Sequence, residues 1–350
     1  MNRHIIAVLA SVSLVLASLS AQAQSGDPIV EKKTFELPSY TTVAGETIKS
    51  IKIGWEAAGT LNADKAVDTN KYYVLSSDTL VNLNAKLANV VTTGPASINP
   101  NTGKPYGMSF PVVSIKDFVR VQKALIDSLG IKRLKAVMGA SMGGSQTYEW
   151  AQSYPESVER IVAVISAAAS EPFLIGWLDL WAQPIRLDPK WNNGDYYGNE
   201  LPTEGLKAAL KLVTLHANSW EWARKTFGTA PAEEGKDPAK AMANKFKIEA
   251  ALDQVAAARA ATADANHFLY LVKANQLASV DPANIKVPAL VIYSPNDLVF
   301  QEPIVQETIQ RIGAAGTPVE SGTVTGPNGH LNGLFQIAQR ADQIAAFLSK

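Results

Sequence analysis

Three side chains of the types needed for serine-based acyl transfer occur in the order serine, aspartate, histidine. Ser141 lies in the pattern Gly-Ala-Ser-Met-Gly, Asp297 lies in "YSPNDLVF", and His330 lies in "GPNGHLNG". A serine hydroxyl is a poor nucleophile at neutral pH, and it needs a base in hydrogen-bond contact that is itself oriented by an acid. The three residues therefore predict a triad with Ser141 as nucleophile, His330 as base and Asp297 as orienting acid.

The short motif around Ser141 is a weak signal by itself, because a small residue is also common where a strand turns into a helix. Its context strengthens the prediction. The helix expected to begin near Gly143 favours developing negative charge at its N-terminus, and the backbone N–H of Met142 is a candidate oxyanion donor. The other histidines beyond residue 23, His216 and His267, lie in helical segments, where we expect packed or surface side chains.

The predicted elements place all three residues at the same edge of a sheet. "RLKAVM" predicts a strand that enters the Ser141 turn, "GGSQTYEWAQSY" predicts the helix after it, and "ALVIY" predicts the strand before Asp297. Strands alternating with helices are typical of a parallel sheet, and the order Ser-Asp-His is that of the α/β-hydrolase fold. We therefore predict an α/β-hydrolase fold with a mostly parallel sheet.

The chain divides into a core and an insertion. The α/β rhythm holds over residues 24–170 and 285–350, whereas residues 171–284 contain Trp- and Ala-rich helical segments that we interpret as a cap over the sheet. "TIKSIKIGWEAAGT" alternates apolar and polar residues and predicts an antiparallel strand pair at a sheet edge, and "KYYVLSS" predicts an inner strand.

Composition limits the partners. Lys+Arg and Asp+Glu both number 32, so nothing indicates a basic surface for nucleic acid or membrane. No group of His, Cys or Glu has metal-ligand spacing, and we expect neither a metal nor an organic cofactor. The expected partner is a small-molecule ester. We expect no membrane contact by the mature chain.

The first 23 residues resemble a secretory signal peptide. Arg3 precedes an apolar run from Ile5 to Leu19, and Ala21-Gln22-Ala23 is a small-x-small cleavage site. The apolar run is short for a membrane span, although an uncleaved anchor is the alternative. We therefore expect a mature protein that begins near Gln24 and works in the periplasm or outside the cell.

From about Phe35 onward the chain resembles the homoserine O-acetyltransferase group of α/β-hydrolases, especially its exported, esterase-like relatives. The matching segments include "GTLNADK", "TGPASINPNTGKPYG", "GASMGGSQTYEWAQSYPE", "DPKWNNGDYY" and "DANHFLYL". The resemblance implies the same roles for Ser141, Asp297 and His330, and together with the aromatic-rich cap it makes a homodimer plausible.

Two departures from that family affect the predicted reaction. The family carries an arginine in its cap that holds the substrate carboxylate, whereas the corresponding run here is Thr214-Leu215-His216-Ala217. A neutral imidazole cannot replace a bidentate guanidinium. Acetyl-CoA is also a cytoplasmic metabolite that an exported enzyme would lack. Water as the acyl acceptor fits both points better than homoserine.

The second departure is a missing segment. Family members carry a few dozen more residues where this chain joins Lys65 to Ala66, and these include a buried strand and the loop that donates the second oxyanion N–H. We hypothesise that "YYVLSS" moves beside the strand of "RLKAVM" to fill the slot, which would bring Ser77, Asp78 or Thr79 near the oxyanion. The alternative is a damaged copy, since losing one oxyanion donor typically costs about 2.7–4 kcal/mol.

The sequence thus predicts a carboxylic ester hydrolase that works through an acyl-enzyme. Two alternatives remain open. One is an O-acyltransferase of the homoserine acetyltransferase type, and the other is a non-catalytic binding protein that lacks part of the oxyanion hole.

Overall fold

The computed structural model describes residues 4–9, 31–58 and 71–350. Within them, eight strands form one sheet in the order β2-β3-β4-β1-β5-β6-β7-β8. The strands are β1 (His4–Leu9), β2 (Lys33–Thr41), β3 (Thr47–Ala58), β4 (Tyr72–Ser77), β5 (Ala136–Ala140), β6 (Ile161–Val164), β7 (Ala289–Tyr293) and β8 (Val319–Thr323).

The sheet is mostly parallel, as predicted. Strand β3 pairs antiparallel with β2 and β4, and every pairing from β4 through β1 to β8 is parallel. Every residue of β6 and β7 is buried, and both strands are continuous apolar runs. That composition is expected of parallel strands with helices on both faces. The fold is that of an α/β-hydrolase.

Strand β1 lies beside β5, the strand that leads to Ser141. It pairs with β4 from His4 to Ala7 and with β5 from Ile6 to Leu9. The hypothesis that "YYVLSS" moves beside β5 is therefore wrong, since β4 stays between β3 and β1. The Lys65–Ala66 junction lies outside the described residues, as do residues 10–30. Cleavage near Gln24 concerns processing of the chain and stays a prediction.

The segment predicted to form an edge strand pair is instead a single strand. β3 runs through Thr47–Ala58, and its edge partner β2 comes from residues earlier in the chain. A positive φ of 55° at Ser50 interrupts the ladder opposite Pro38. The chain bends at Ser50 but does not turn back, so β3 continues as one strand with one gap in its pairing to β2.

The helices of the described residues divide between core and cap. The core helices are α1 (Ile115–Ser128), α2 (Met142–Ser153), α8 (Glu302–Ala314), α9 (Asn332–Phe335) and α10 (Ala341–Ser349). The cap helices are α3 (Pro172–Leu187), α4 (Thr203–His216), α5 (Trp220–Thr226), α6 (Lys247–Ala260) and α7 (Ala265–Gln276). None of the helices in the described ranges is long and apolar enough to cross a membrane.

Helix α1 begins at a capping box and packs on α2 through a buried polar chain. Ser114 and Asp117 satisfy each other's backbone N–H groups. Gln122 of α1 donates to Gln146 and accepts from the indole of Trp150, both on α2. Because these buried polar groups are paired, they fix the position of α2, which has the Ser141 turn at its N-terminus.

Candidate active site

Ser141 lies at a strained turn between β5 and α2. Its φ of 56° and ψ of −123° are rare for a residue with a side chain, and its N–H donates to Val164 O at 2.9 Å. A Cβ on Gly139 would lie 2.2 Å from Gly143 O, and one on Gly144 would lie 1.9 Å from Ser166 Oγ. Only glycine fits at these two positions, so the glycines permit the turn that exposes the hydroxyl.

The structure brings the three predicted side chains into one hydrogen-bonded chain. His330 Nε2 lies 2.8 Å from Ser141 Oγ, and His330 Nδ1 lies 2.8 Å from Asp297 Oδ2. The other carboxylate oxygen of Asp297 accepts from Val299 N at 2.7 Å and Phe300 N at 3.1 Å. The carboxylate therefore holds Nδ1–H, which leaves the Nε2 lone pair facing the serine hydroxyl.

A buried asparagine holds the loop of His330 against the loop of Asp297. Asn332 is fully buried, and its amide nitrogen lies within 3.0 Å of Ser294 Oγ, Asn296 Oδ1 and Gly326 O. Its amide oxygen accepts from Asn328 N at 3.1 Å. Because both loops share this one side chain, Asn332 fixes the separation between the acid and the base.

The oxyanion side of the site has one candidate donor among the described residues. Met142 is the first residue of α2, where a backbone N–H has no intrahelical acceptor. Ser77, Asp78 and Thr79 do not lie beside it, because β1 separates β4 from β5. The Asp78 carboxylate is instead 3.0 Å from Lys32 Nζ and accepts from Val91 N. The chain after β1 lies outside the described residues.

A small apolar cavity of about 30 Å³ opens on Ser141 and His330. Its walls come from the cap helices and from the loop after Asp297. Among the described residues no Lys, Arg, Asp or Glu side chain lines it. The main apolar contributors are Leu174, Leu178, Trp181, Val213, Val299 and Phe300. Such a cavity suits an uncharged group attached to a carbonyl.

His216 occupies the position at which the resemblance places an arginine. Its ring stacks on Trp177 with centroids 4.3 Å apart and meets Trp181 edge-on at 5.4 Å. Nε2–H donates to Leu298 O at 2.9 Å, and burial lowers the pKa of the ring. His216 is therefore a neutral imidazole that packs beside the site, and it supplies no positive charge for a carboxylate.

His267 is a packed structural residue, as expected. Nδ1–H donates to Asn82 O at 2.8 Å, and Nε2 accepts from Ala96 N at 3.2 Å. Burial lowers the pKa of the ring. Both nitrogens are used by the neutral form, so the ring ties cap helix α7 to the loop after β4.

Sequence reasoning missed three side chains at this site. These are Asn332, Trp181 and Asn275, which no sequence motif distinguishes from their neighbours. Asn332 lies two residues after His330, and that spacing was the only available signal. Trp181 and Asn275 reach the cavity from α3 and α7, and only helix packing brings them together. No group of His, Cys, Asp or Glu in the described part of the chain could hold a metal ion.

Comparisons with known proteins identify the family of the chain. Residues 86–335 match the model of the alpha/beta hydrolase fold family. A homoserine O-acetyltransferase of Methanococcus vannielii is 30% identical over 92% of this chain and 73% of its own length. Another, from Carboxydothermus hydrogenoformans, is 30% identical over 91% of this chain and 95% of its own length.

Two solved structures superimpose closely. Esterase E22 is 39% identical with a TM-score of 0.86, over 91% of this chain and 100% of that one. A homoserine O-acetyltransferase from Bacillus anthracis is 29% identical with a TM-score of 0.86, over 92% of this chain and 98% of that one. Fold and site define an α/β-hydrolase enzyme. Within that class, the chain belongs to the homoserine O-acetyltransferase-like family.

Proposed function

We propose that the protein is a carboxylic ester hydrolase that works through an acyl-enzyme on Ser141. The observation that carries the proposal is the unbroken hydrogen-bond chain from Ser141 Oγ through His330 to Asp297, which opens on an uncharged cavity. A hydroxyl in contact with an oriented imidazole is the arrangement that activates serine for attack on a carbonyl.

The reaction follows in two halves. Ser141 Oγ attacks the ester carbonyl while His330 Nε2 takes the hydroxyl proton, and the Met142 N–H donates to the oxygen that becomes negative. His330 then gives that proton to the departing alcohol. In the second half, His330 takes a proton from water, the resulting hydroxide attacks the acyl carbon, and His330 returns the proton to Ser141. Asp297 stabilises the imidazolium in both halves.

Hydrolysis is favoured over transfer to homoserine by the charge of the site. A substrate with a carboxylate needs a cationic partner when it is desolvated. The cavity wall has no such partner among the described residues, and His216 is neutral at the position of the family arginine. An uncharged ester therefore suits the site better than an amino acid.

An O-acyltransferase is the second candidate, and the names of the curated relatives favour it. The two reactions share the acyl-enzyme and differ in the acceptor. Release of coenzyme A from acetyl-CoA that depends on added homoserine would indicate transfer. Release of acid from a simple ester in buffer alone would indicate hydrolysis.

The decisive experiment combines a fluorophosphonate probe with 4-nitrophenyl acetate hydrolysis. We expect labelling and turnover by the full chain, and a fall in kcat/KM of roughly 10⁴-fold or more in Ser141→Ala. Ser145→Ala is the matched control, because Ser145 is a buried serine one turn further along α2. Folded protein with neither labelling nor turnover would support the binding-protein alternative.

Export to the periplasm or the medium and assembly as a homodimer stay predictions. N-terminal sequencing of the protein secreted by its host tests cleavage near Gln24.

Sedimentation velocity tests the predicted homodimer. Exposed apolar side chains spaced seven residues apart on cap helix α3 support a dimer, since exposed apolar surface is often an interaction site. These side chains are Phe173, Leu180 and Leu187.

A further inference from the structure

A larger cavity, of about 320 Å³, is lined by residues of α2, the start of α1, the turn between β2 and β3 and the loop after α7. We call it the α1–α2 cavity. Its volume is within the range of small-molecule sites. None of its lining residues also lines the cavity at Ser141. It is therefore a separate candidate site, and what it binds does not depend on ester hydrolysis.

The wall of the α1–α2 cavity includes a carboxylate with one unused oxygen. Glu149 lies on α2 and is only 5% exposed. Its Oε1 accepts from the hydroxyl of Ser153, whereas none of the described residues donates to Oε2. Oε2 is not sealed inside the protein, so a molecule in the cavity can contact it. Because buried carboxylate oxygens need donors, Oε2 indicates a ligand that supplies one.

The charge of Glu149 also lacks a close counter-ion among the described residues. Burial raises the pKa of its carboxyl group, although Lys116 and Arg120 on α1 favour the charged form through space. Neither of these two cations forms a hydrogen bond to the carboxylate. Asp117, which also lines the cavity, is already used in the capping box of α1. A cation that entered the cavity would therefore stabilise the ionised form of Glu149.

Ser145 supplies a second unused polar group in the same wall. It lies four residues before Glu149 on α2, and residues at that spacing share one face of a helix. Ser145 is 2% exposed, and its hydroxyl is neither paired within the described residues nor sealed inside the protein. A hydroxyl oxygen accepts an N–H as a carboxylate does. One donor group with several hydrogens can therefore serve both side chains.

The rest of the α1–α2 cavity is mainly apolar, and part of its apolar wall is exposed to solvent. The exposed side chains are Val43, Val112 and Leu277, and the buried ones are Val113, Ile115 and Val280. Exposed apolar side chains that border a cavity gain from contact with an apolar group. The lining therefore suits a ligand with a charged end and an apolar body.

We propose that the α1–α2 cavity binds an organic ammonium ion with a short apolar body. The ammonium group donates to Glu149 Oε2 and to Ser145 Oγ, and the alkyl part packs on the apolar wall. An organic anion would be repelled by Glu149. An uncharged alcohol would donate one hydrogen bond but leave the carboxylate without a counter-ion. A metal ion is a poorer match, since no group of acidic or histidine ligands occurs in the described part of the chain.

Titration calorimetry of the full chain with three small probes tests the proposal. The probes are n-butylammonium, 1-butanol and butyrate, which share an apolar chain and differ in charge. We expect n-butylammonium to bind at one site at least 10-fold more tightly than 1-butanol, and butyrate not to bind. Glu149→Gln keeps the shape of the side chain and should raise the Kd for n-butylammonium about 10-fold or more. Ser145→Ala should raise it about 3-fold or more.

Glu156→Gln is the matched control, because Glu156 is an exposed glutamate that follows α2 and does not line the cavity. Its Kd for n-butylammonium should equal that of the wild type, which separates the cavity from unspecific attraction of cations to surface acids. Equal affinities of the wild type for n-butylammonium and 1-butanol, or an unchanged Kd in Glu149→Gln, would overturn the proposal. Thermal unfolding shows whether Glu149→Gln is folded. If it is not, an unchanged Kd in Ser145→Ala would overturn the proposal instead.

Discussion

At the scale of single residues, the histidines show how the same side chain serves different purposes in different surroundings. His330 has a carboxylate on one nitrogen and a hydroxyl on the other, which is the arrangement that the proposed mechanism uses. His267 has a carbonyl on one side and an amide N–H on the other. Protonation would remove the acceptor that Ala96 N needs, so this ring is kept neutral.

The neutral state of His267 predicts a pH dependence of stability. Burial lowers its folded pKa below the unfolded value of 6.5, so the unfolded state binds the proton first as the pH falls. The free energy of unfolding should be constant above about pH 7.5 and decrease below pH 6.5, by up to about 1.4 kcal/mol per pH unit for one histidine.

Urea denaturation at several pH values between 5 and 8 measures this slope. His267→Gln keeps a donor and an acceptor but cannot titrate, so its slope should be shallower than that of the wild type. His216 contributes in the same direction, because burial also lowers its pKa, and it remains in both proteins. Equal slopes would mean that His267 does not bind its proton differently in the two states.

At the scale of secondary-structure elements, the strand, turn and helix around Ser141 could be predicted because their signals are local. Gly139 and the capping box at Ser114 act within a few residues of their own position. The pairing of β4 could not be predicted in this way, because neighbours in a sheet are set by distant segments. An apolar run such as His4–Leu9 also fits a signal peptide as well as a strand.

Glycine substitutions test the nucleophile turn. Gly139→Ala should abolish hydrolysis and lower stability, because the new Cβ would lie 2.2 Å from Gly143 O, a backbone atom that cannot move aside. Gly176→Ala is the matched change in α3, where a Cβ would meet nothing within 4 Å. It should raise the free energy of unfolding by about 0.5–1 kcal/mol.

Thermal unfolding and 4-nitrophenyl acetate turnover of the two glycine variants provide the comparison. Full activity in Gly139→Ala would show that the turn accepts a side chain, and the strained conformation of Ser141 would then need another cause.

At the scale of the whole molecule, the sheet is continuous because β1 lies between β4 and β5. Four residues of β1 are in register with each neighbour. Without β1, two strands of the sheet interior would each present an unpaired edge, and buried backbone groups without partners are costly. The predicted signal cleavage near Gln24 would remove this strand. The full chain has β1 between β4 and β5, whereas the cleaved chain would lack that strand.

Comparing the full chain with a chain that begins at Gln24 distinguishes them. If β1 completes the sheet, the shorter chain should unfold at lower urea concentration or aggregate, and its Ser141 should lose reactivity towards a fluorophosphonate. Ile6→Pro in the full chain should act in the same direction, because proline removes a ladder N–H. A shorter chain with unchanged stability and reactivity would show that β1 is dispensable.

The insertion of the cap between the two halves of the core has a consequence for biosynthesis. Ser141 and His330 are 189 residues apart, and the acid and the base both follow the cap in the chain. A nascent polypeptide therefore carries a serine without its base until translation has passed the cap and nearly reached the last helix. Under the proposed mechanism, Ser141 therefore gains its base only when the C-terminal part folds onto the rest of the chain.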